Sequence, residues 1–310
     1  MSSRAIIEIL CAYRTVATIN GGKLRHHPPM PRRVADDTPP PDRTPPVRTA
    51  ADEIEAMSGD PNFMTSLARG LAVIQGFTQQ KRRLTISQLS HRTGIPRAAV
   101  RRCLYTLSRL GLVGSEDGKT FSLQPKILAL SHAYLSSTTL AAAAQPILDR
   151  VSDALHESSS IAFLDGDEIL YVARSSTNRR IMSVDLSIGT RLPAYCTSMG
   201  RVLLATLPPA DLEAYLARVK LVAHTNRTLI APDRLRAELQ QVAAHERAVV
   251  DQELELGLRS IAVPVRDLAG KVVAAMNIST QASRVSVAEL ERRFLPELNA
   301  AARELQNMLL

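Results

Sequence analysis

The sequence predicts an α+β protein in which a winged helix-turn-helix precedes a larger domain built on an antiparallel sheet. Three observations lead to this fold class. Residues 84–110 follow the pattern of a short helix, a sharp turn and a basic helix. A hairpin turn signal, Asp117-Gly118, comes next. After residue 146, strand patterns joined by hairpin turns alternate with helical patterns, which is typical of α+β domains.

The positive charge of the chain is concentrated in one short segment. The 310 residues carry a formal net charge of +8. Residues 61–126 contain 11 Lys and Arg but only 2 Asp and Glu. Residues 1–60 contain 8 of each sign, and residues 127–310 contain 19 basic and 20 acidic residues. A basic patch confined to a small segment is typical of a surface that binds nucleic acid.

The first 60 residues are predicted to form a disordered arm. Eight of the 18 prolines lie within residues 28–46, and the segment has no apolar period from which a folded core could form. Arg32 and Arg33 in this arm could touch DNA, but a solvated tail is the plainer interpretation.

The composition argues against several other classes of protein. No apolar run approaches the roughly 18 residues of a membrane span, and Glu8 and Arg14 interrupt a short apolar stretch near the N-terminus. Cys11, Cys103 and Cys196 are widely separated, so neither a disulfide framework nor a zinc finger is expected. We therefore expect a cytoplasmic protein without a metal ion or another cofactor.

The predicted DNA-binding domain spans residues 61–125 and begins with an amphipathic helix near Thr65. Thr85 and Gln88 form a capping box that opens the next helix. Gly94 is expected to end that helix, because glycine adopts the left-handed conformation found just after many helices.

The basic helix, from Pro96 to about Leu110, is the predicted recognition helix. In a helix-turn-helix the second helix lies in the major groove, and its early residues meet base edges. Arg97 and Arg101 lie in the first two turns, and arginine is the usual bidentate reader of guanine. The predicted DNA-contacting residues are Arg97, Ala98, Arg101, Arg102, Tyr105 and Arg109 on the helix and Lys119 beside the tip of the wing.

Other basic residues are expected to contact the DNA backbone. Arg102, Arg109 and the run 81–83 are better placed for phosphates, which position a protein on DNA without specifying its sequence. Tyr105 is expected to hydrogen-bond to a phosphate. A solvated basic helix face is the alternative, but capping box, turn, charge and wing all agree on DNA binding.

A helical linker is predicted for residues 126–145, and a second domain for residues 146–310. The linker has an apolar helical period, and the second domain has a hairpin turn at Asp165-Gly166. The predicted strands of this domain are 160–164, 169–173, 181–185, 260–265 and 272–279, and its predicted helices lie near 198–206, 209–218 and 233–246 and from 287 onward.

Several motifs resemble those of the IclR family of transcriptional regulators. The family's DNA-binding domain is similar to SLARGLAVIQGF and LTISQLSHRTGIPRAAVRRCLYTLSRLGLV. Its C-terminal domain is similar to GTRLPAYCTSMGRVLLA, DQELELGLRSIAVPVRD and AAMNIST. The resemblance covers about Met64–Leu310. Within the family, RRIMSVDLSIGTRLPAYCTSMGR resembles the branch that controls β-ketoadipate and related aromatic-acid catabolism.

The resemblance implies both a fold and a function. It implies a GAF-like effector domain, assembly into dimers or tetramers, and binding to double-stranded operator DNA, with RNA polymerase as a candidate further partner. The branch implies a small carboxylic-acid effector, aromatic or dicarboxylic. The leading hypothesis is therefore a sequence-specific transcriptional regulator that responds to such an acid and is not an enzyme.

The start of the predicted helix at residue 198 is the expected acid site. Residues 197–200 open this helix, and the free backbone N–H groups at a helix start bind carboxylates readily. The residues that the resemblance assigns to the effector are Ser198, Met199, Gly200, Asp251, Ser260, Asn277 and Ser279.

Charged residues near these positions fit less well. Asp251 and Glu253 match the family's acidic cluster loosely, since Val250 stands where a further acid is expected. Arg180 and Arg191 could neutralise a second carboxylate of the effector, although lone arginines are more often surface residues.

Two other functions stay open from the sequence. An enzyme acting on a small acid would need a catalytic pair, and no histidine lies near Cys196 in the sequence. A DNA-binding protein that senses oxidation could use Cys196, because a thiol at a helix start can have a lowered pKa.

Overall fold

The computed structural model describes residues 49–78, 81–137, 139–175 and 186–309. Its architecture confirms the predicted α+β class, with a small N-terminal sheet and a larger antiparallel sheet. The arm up to residue 48, Arg180 and the predicted strand 181–185 lie outside the described residues.

The N-terminal domain is a winged helix-turn-helix. Its helices are α1 (Ala50–Ala56), α2 (Thr65–Gln75), α3 (Ile86–Thr93) and α4 (Arg97–Arg109), and its strands are β1 (Leu84–Thr85), β2 (Val113–Gly114) and β3 (Thr120–Leu123). The strands pair antiparallel in the order β1-β3-β2. Val73, Leu89 and Val100 are fully buried where α2, α3 and α4 meet. This core fixes the direction of α4.

Helix α1 corrects the predicted extent of the disordered arm. Thr49 and Asp52 form a capping box at its start, and Ile54 is buried in the core of the N-terminal domain. The prediction of disorder is therefore wrong for residues 49–56. Thr49 also packs against Gly94, in the turn between α3 and α4. A Cβ atom at Gly94 would stand only 2.5 Å from the Thr49 Oγ1.

The linker and the second domain follow the predicted order. The linker region contains a 3-10 turn (Pro125–Ile127), α5 (Leu128–Ser137) and α6 (Thr139–Leu155). The helices of the second domain are α7 (Ser198–Leu204), α8 (Pro209–Arg218), α9 (Pro232–His245), α10 (Val287–Glu289) and α11 (Leu295–Gln306), with a π-helical turn (Leu290–Phe294) between the last two. In the described part of the chain, no helix has the length and apolar character needed to cross a membrane.

Six strands form one antiparallel sheet in the order β6-β5-β4-β9-β8-β7. Their bounds are β4 (Ser158–Asp165), β5 (Glu168–Ser175), β6 (Arg191–Pro193), β7 (Ala248–Asp251), β8 (Leu258–Arg266) and β9 (Val272–Gln281). The two shortest strands, β6 and β7, were not predicted from the sequence. They form the two edges of the sheet, where pairing to one neighbour suffices.

The sheet carries a separate apolar core on each face, because successive residues of a strand point to opposite faces. Ile161 and Met276 face α6 and α11. Ala162 and Ala275, one position away, face α7, α8 and α9. Small side chains on this second face allow α7 to lie close to the sheet. Polar side chains on the same face lie beside the first turn of α7.

Candidate nucleic-acid interface and ligand cavity

A short turn holds α4 at a defined angle to α3. The Thr85 Oγ1 accepts a hydrogen bond from the Gln88 N–H at 3.2 Å, and the Gln88 Oε1 accepts one from the Thr85 N–H at 2.9 Å. Gly94 has φ +72°, a conformation that strains residues with a side chain. The predicted capping box and terminal glycine are thus confirmed, and both orient α4, the predicted recognition helix.

The outward face of α4 presents arginines that are unbalanced by nearby carboxylates. Arg97, Arg101 and Arg109 are exposed, and Tyr105 is 68% exposed. Across the residues that the structure describes, none of these three arginines forms an ion pair. Each guanidinium therefore keeps its full set of donors for base edges and phosphates. Ala98 lies among them and is also exposed.

Two basic residues have surroundings that the sequence did not indicate. Arg102 lines a groove between α2 and α4 with Leu71 and Cys103, because consecutive helical residues lie about 100° apart. The structure thus places Arg102 at the groove rather than with Arg101. The Arg83 Nη2 donates to the Glu116 Oε2 at 2.7 Å, so this member of the basic run binds the wing.

The wing tip is shaped by Asp117. The Asp117 Oδ1 accepts hydrogen bonds from the Thr120 N–H at 2.7 Å and the Lys119 N–H at 2.8 Å. These bonds stabilise the ionised carboxylate and hold the pKa of Asp117 well below its ordinary value. The turn thereby fixes the backbone of Lys119, whose side chain is exposed beside the tip.

A small cavity lies between the start of α7 and the sheet of the second domain. Its volume is about 20 Å³, which is room for about one water molecule. Its lining combines apolar and polar side chains, and the full set is Tyr171, Leu192, Cys196, Thr197, Ser198, Val250, Leu254, Leu258, Ser260, Asn277 and Ser279. The structure therefore brings together four of the predicted effector residues: Ser198, Ser260, Asn277 and Ser279.

Strand register explains why these polar residues meet. Ser260 of β8 lies directly opposite Ser279 of β9, and Asn277 lies two residues before Ser279 on the same face of the strand. Ser198 reaches them from α7. Because α7 lies over this face of the sheet, residues that are far apart in sequence surround one small space.

Two polar atoms of this cavity are buried without a partner in the described part of the chain. They are the Ser198 Oγ and the Asn277 Oδ1. The Asn277 Nδ2 donates to the Ser279 Oγ at 3.1 Å, so the amide is oriented within the cavity wall. A buried polar atom without a hydrogen bond is costly, which makes this pair a natural place for a polar ligand.

The start of α7 differs in part from the prediction. Thr197 caps the helix, and its Oγ1 accepts a hydrogen bond from the Gly200 N–H at 3.3 Å. The Gly200 donor is therefore already used. Among the described residues, the N–H groups of Ser198 and Met199 have no acceptor. Neither Met199 nor Gly200 lines the cavity.

Two further predicted ligand residues have other partners. Asp251 does not line the cavity, because it points to the opposite face of β7 from Val250. Its carboxylate accepts from the Arg259 Nε at 2.8 Å and the Arg227 Nη1 at 2.7 Å, and these bonds lower the pKa of Asp251. Arg191 pairs with Glu168 at 2.7 Å beside the β4–β5 hairpin. The structure assigns both residues to ion pairs.

A buried ion pair behind the cavity was not predicted. The Arg201 Nη2 donates to the Glu253 Oε2 at 2.6 Å, and both side chains are at most 9% exposed. The sequence gives one weak signal, an arginine on an otherwise apolar helix, but it cannot identify a partner in a distant loop.

Cys196 lies in the cavity wall as an unreactive thiol. It is fully buried, and burial raises its pKa to about 12. The thiolate is the reactive form of cysteine, so very little of it is present near neutral pH. Among the described residues that line the cavity there is neither a histidine nor a carboxylate. The geometry therefore gives no support to a thiol-based sensor or to an enzyme with a catalytic pair here.

Comparisons with known proteins cover both domains. Residues 66–117 match the family model described as the IclR helix-turn-helix domain. Residues 132–307 match the one described as bacterial transcriptional regulator IclR C-terminal.

Individual relatives agree with these matches. The Pca regulon regulatory protein of Pseudomonas putida is 62% identical over 263 residues, which cover 85% of this chain and 90% of that protein. A transcriptional regulator of Rhodococcus sp. RHA1 has a crystal structure that is similar with a TM-score of 0.70 and 47% identity, covering 80% of this chain and 98% of that one. The inducer-binding domain of the Acinetobacter transcription factor PobR, a double mutant in complex with 3-hydroxybenzoic acid, is similar with a TM-score of 0.51 and 32% identity, covering 54% and 97%.

Proposed function

The chain belongs to the IclR family and is a DNA-binding transcriptional regulator that responds to a small acid; from this premise we propose which residues read the operator, where the acid binds and how two copies assemble. We place the operator-reading domain at residues 49–125 and the acid-binding domain at residues 146–310, joined by the helical linker.

Helix α4 reads the operator in this proposal. Arg97 and Arg101 lie in its first two turns, exposed and without carboxylate partners in the described residues. We assign Arg101 to a base edge and Arg109 and Lys119 to phosphates. Ala98 and Tyr105 share the exposed face and complete the surface. No surface of the described residues is assigned to RNA polymerase.

The acid binds in the cavity between α7 and the sheet. The single observation that carries this assignment is the burial of the Ser198 Oγ and the Asn277 Oδ1 without partners on one cavity. A carboxylate can accept from the Ser198 hydroxyl and from the free N–H group of Ser198, whereas Met199, although its N–H is also free, does not line the cavity. Ser260 and Ser279 supply further polar contacts from the sheet. Leu254 and Leu258 offer apolar surface to the body of the acid.

The acid is aromatic or dicarboxylic in this proposal. Support comes from the double mutant of the PobR inducer-binding domain, which forms a complex with 3-hydroxybenzoic acid and is 32% identical to this chain. The cavity of about 20 Å³ is far smaller than the roughly 300 Å³ or more of typical ligand pockets. The walls of the cavity must therefore separate when the acid enters. This separation is the conformational change by which the protein responds to the acid.

Two copies associate through an apolar surface of the N-terminal domain and linker. A groove of about 510 Å³ lies between α2 and α4 and is bordered by Leu130 of α5. Leu67, Leu71 and Leu110 around it are each about half exposed or more. A surface of this size and apolarity marks an interaction site.

We propose that a second copy of the chain binds in this groove. The groove residues of α4, such as Ala99 and Cys103, lie on a different side of the helix from Arg97 and Arg101. A two-fold pair could therefore present two recognition helices to a two-fold operator. Sedimentation of the Leu67→Glu variant tests this assignment: dissociation of the assembled protein supports it, and an unchanged mass contradicts it.

A thermal-shift screen tests the acid assignment. Protocatechuate, 4-hydroxybenzoate and adipate are added to the full chain, and melting is followed at rising ligand concentration. A ligand that binds only the native state raises the melting temperature, by the equivalent of about 2.7 kcal/mol at a hundredfold excess over its Kd. If none of the three raises it at millimolar concentration, the acid class is wrong for this chain.

A further inference from the structure

Arg201 and Glu253 form a buried ion pair directly behind the wall of the acid cavity. The Arg201 side chain is 2% exposed and that of Glu253 9% exposed. Burying two charges is costly, and only good geometry with further hydrogen bonds repays the cost. Neither residue lines the cavity, so contact with the acid does not explain why the pair is there.

The pair connects segments that carry the cavity wall. The Arg201 Nε donates to the Tyr195 carbonyl at 2.9 Å, immediately before Cys196, which lines the cavity. On the other side, Glu253 directly precedes Leu254, which also lines it. The start of α7 is therefore tied to the loop between β7 and β8 by one ion pair.

The same carboxylate also holds a third segment. The Glu253 Oε2 accepts from the Leu229 N–H at 3.0 Å, and the Glu253 carbonyl accepts from the Thr228 Oγ1 at 2.6 Å. The Tyr195 hydroxyl anchors this segment again, since it donates to the Val222 carbonyl at 2.8 Å. Through its carboxylate, Glu253 thus joins the chain that precedes α9 to the start of α7, and the other two bonds reinforce this connection without involving the ion pair.

The β7–β8 loop is strained at the residue before Glu253. Gln252 has φ +62°, a left-handed conformation that is unusual for a residue with a side chain. Its N–H donates to the Leu258 carbonyl at 2.7 Å. Strained backbone persists when the surroundings over-determine it, and it is concentrated at ligand-binding sites. Glu253 is the adjacent residue that fixes this turn to the rest of the domain.

We propose that Arg201 and Glu253 are positioning residues of the acid site, which hold the start of α7 and the β7–β8 loop in a fixed orientation to each other, so that Ser198 and Leu254 stay aligned on the acid when the cavity widens around it. Through Arg201 the pair fixes Ser198, and through Glu253 it fixes Leu254. The inference rests on the proposed acid site for its ligand readout, but its effect on the cavity wall is measurable without ligand.

Three variants of the full chain separate positioning from plain stability. Arg201→Met leaves the buried Glu253 charge unpaired and should lower both the melting temperature and acid affinity. Glu253→Gln leaves the Arg201 guanidinium with only the more distant and partly exposed carboxylate of Glu238, at 3.8 Å. The double variant Arg201→Met/Glu253→Gln has no unpaired buried charge, so its melting temperature should recover. Its affinity for protocatechuate, 4-hydroxybenzoate or adipate, whichever binds the wild type, should stay about tenfold weaker or more.

Thiol labelling gives the readout that needs no ligand. In a Cys11→Ser/Cys103→Ala background, Cys196 is the remaining thiol of the sequence. Iodoacetamide should label it very slowly in the parent and at least about tenfold faster in the double variant, because a separated wall exposes the sulfur and lowers its pKa. Glu157→Gln is the matched control: it weakens the 2.7 Å ion pair with Arg284, its side chain is 1% exposed, and neither residue lines the cavity. It should lower stability without changing labelling or acid affinity.

The outcomes are distinguishable. Wild-type labelling and wild-type acid affinity in the double variant would overturn the positioning role. Equal acceleration of labelling by Glu157→Gln would also overturn it, since any loss of stability would then suffice. If no acid binds the wild type, the proposed acid class fails, while the labelling rates still decide the role of the pair.

Discussion

Gly200 lies so close to Ala194 that a Cβ atom at position 200 would stand 2.1 Å from the Ala194 carbonyl oxygen and 2.4 Å from its Cα. No side chain can move to relieve such a contact, because the obstructing atoms belong to the backbone. The glycine thus lets α7 lie against the segment that precedes it, which places Ser198 at the cavity.

The Gly200→Ala variant should therefore be destabilised. Overpacking in a well-packed core costs about 1–3 kcal/mol, and a backbone clash belongs at the upper end of that range. Thermal melting of the purified variant measures the effect. Gly59→Ala is the control, because a Cβ atom there would have no neighbour within 4 Å. Equal melting temperatures for Gly200→Ala and the wild type would show that α7 is packed differently.

Arg101→Ala should relax operator specificity. Loss of a bidentate contact to a base costs about 1–3 kcal/mol, whereas affinity for random DNA should change much less. Arg102→Ala is the matched comparison, since Arg102 lines the groove with α2 rather than the Arg101 face. Binding to both DNAs is followed over a range of salt concentrations, because phosphate contacts make affinity fall steeply with salt. Equal losses on operator and random DNA would make Arg101 a phosphate contact.

Truncation of the N-terminal arm should affect stability only when it extends beyond residue 48. Deletion of residues 1–48 is expected to leave the melting temperature of the DNA-binding domain unchanged. Deletion of residues 1–60 also removes Ile54, which is buried in that domain, and should cost about 2 kcal/mol. Ile54→Ala in the full chain should destabilise in the same direction, and Glu55→Ala, on the exposed side of α1, should not. Identical melting of the two truncations would mean that α1 adds no stability.

Asp251 should contribute stability only above acid pH. Its hydrogen bonds from Arg259 and its charged neighbours lower its pKa from the ordinary value of 3.8. A lowered pKa stabilises the fold above the unfolded-state value, and that contribution is lost as pH falls through the folded-state value. At pH 7, Asp251→Asn should be less stable by about 1 kcal/mol, and the difference should shrink below about pH 4. A pH-independent difference, or a loss of acid affinity, would contradict this structural role.

Local sequence signals account for much of the fold, and long-range packing accounts for the rest. The Thr85–Gln88 capping box and Gly94 act within a few residues, so the sequence predicts them directly. The capping box formed by Thr49 and Asp52 is just as local, but α1 was not predicted because the proline-rich segment before it indicated disorder. By contrast, the groove beside Arg102 depends on how α2 packs against α4.

The candidate site shows the same division. The helix start at Ser198 and the polar residues of β9 could each be predicted separately from the sequence. The partner of Arg201 lies 52 residues away in a loop, and no local pattern specifies such a contact. Strand β7 is too short to give a clear alternation, so the sequence did not show that Asp251 faces away from the cavity.

The measurement that tests the central claim most directly is a calorimetric titration with the acid that raises the melting temperature most among the three screened. Wild type, Ser198→Ala and Asn277→Leu are titrated side by side, and operator affinity without acid is measured for each. For Ser198→Ala, loss of a hydrogen bond to the carboxylate should weaken acid binding by roughly 1.5–3 kcal/mol, about tenfold to a hundredfold. For Asn277→Leu, whose Oδ1 accepts from a hydroxyl group of the acid, the loss should be roughly 0.5–1.5 kcal/mol, and operator affinity should stay that of the wild type for both variants. If both variants bind the acid as tightly as the wild type, the acid does not bind in this cavity.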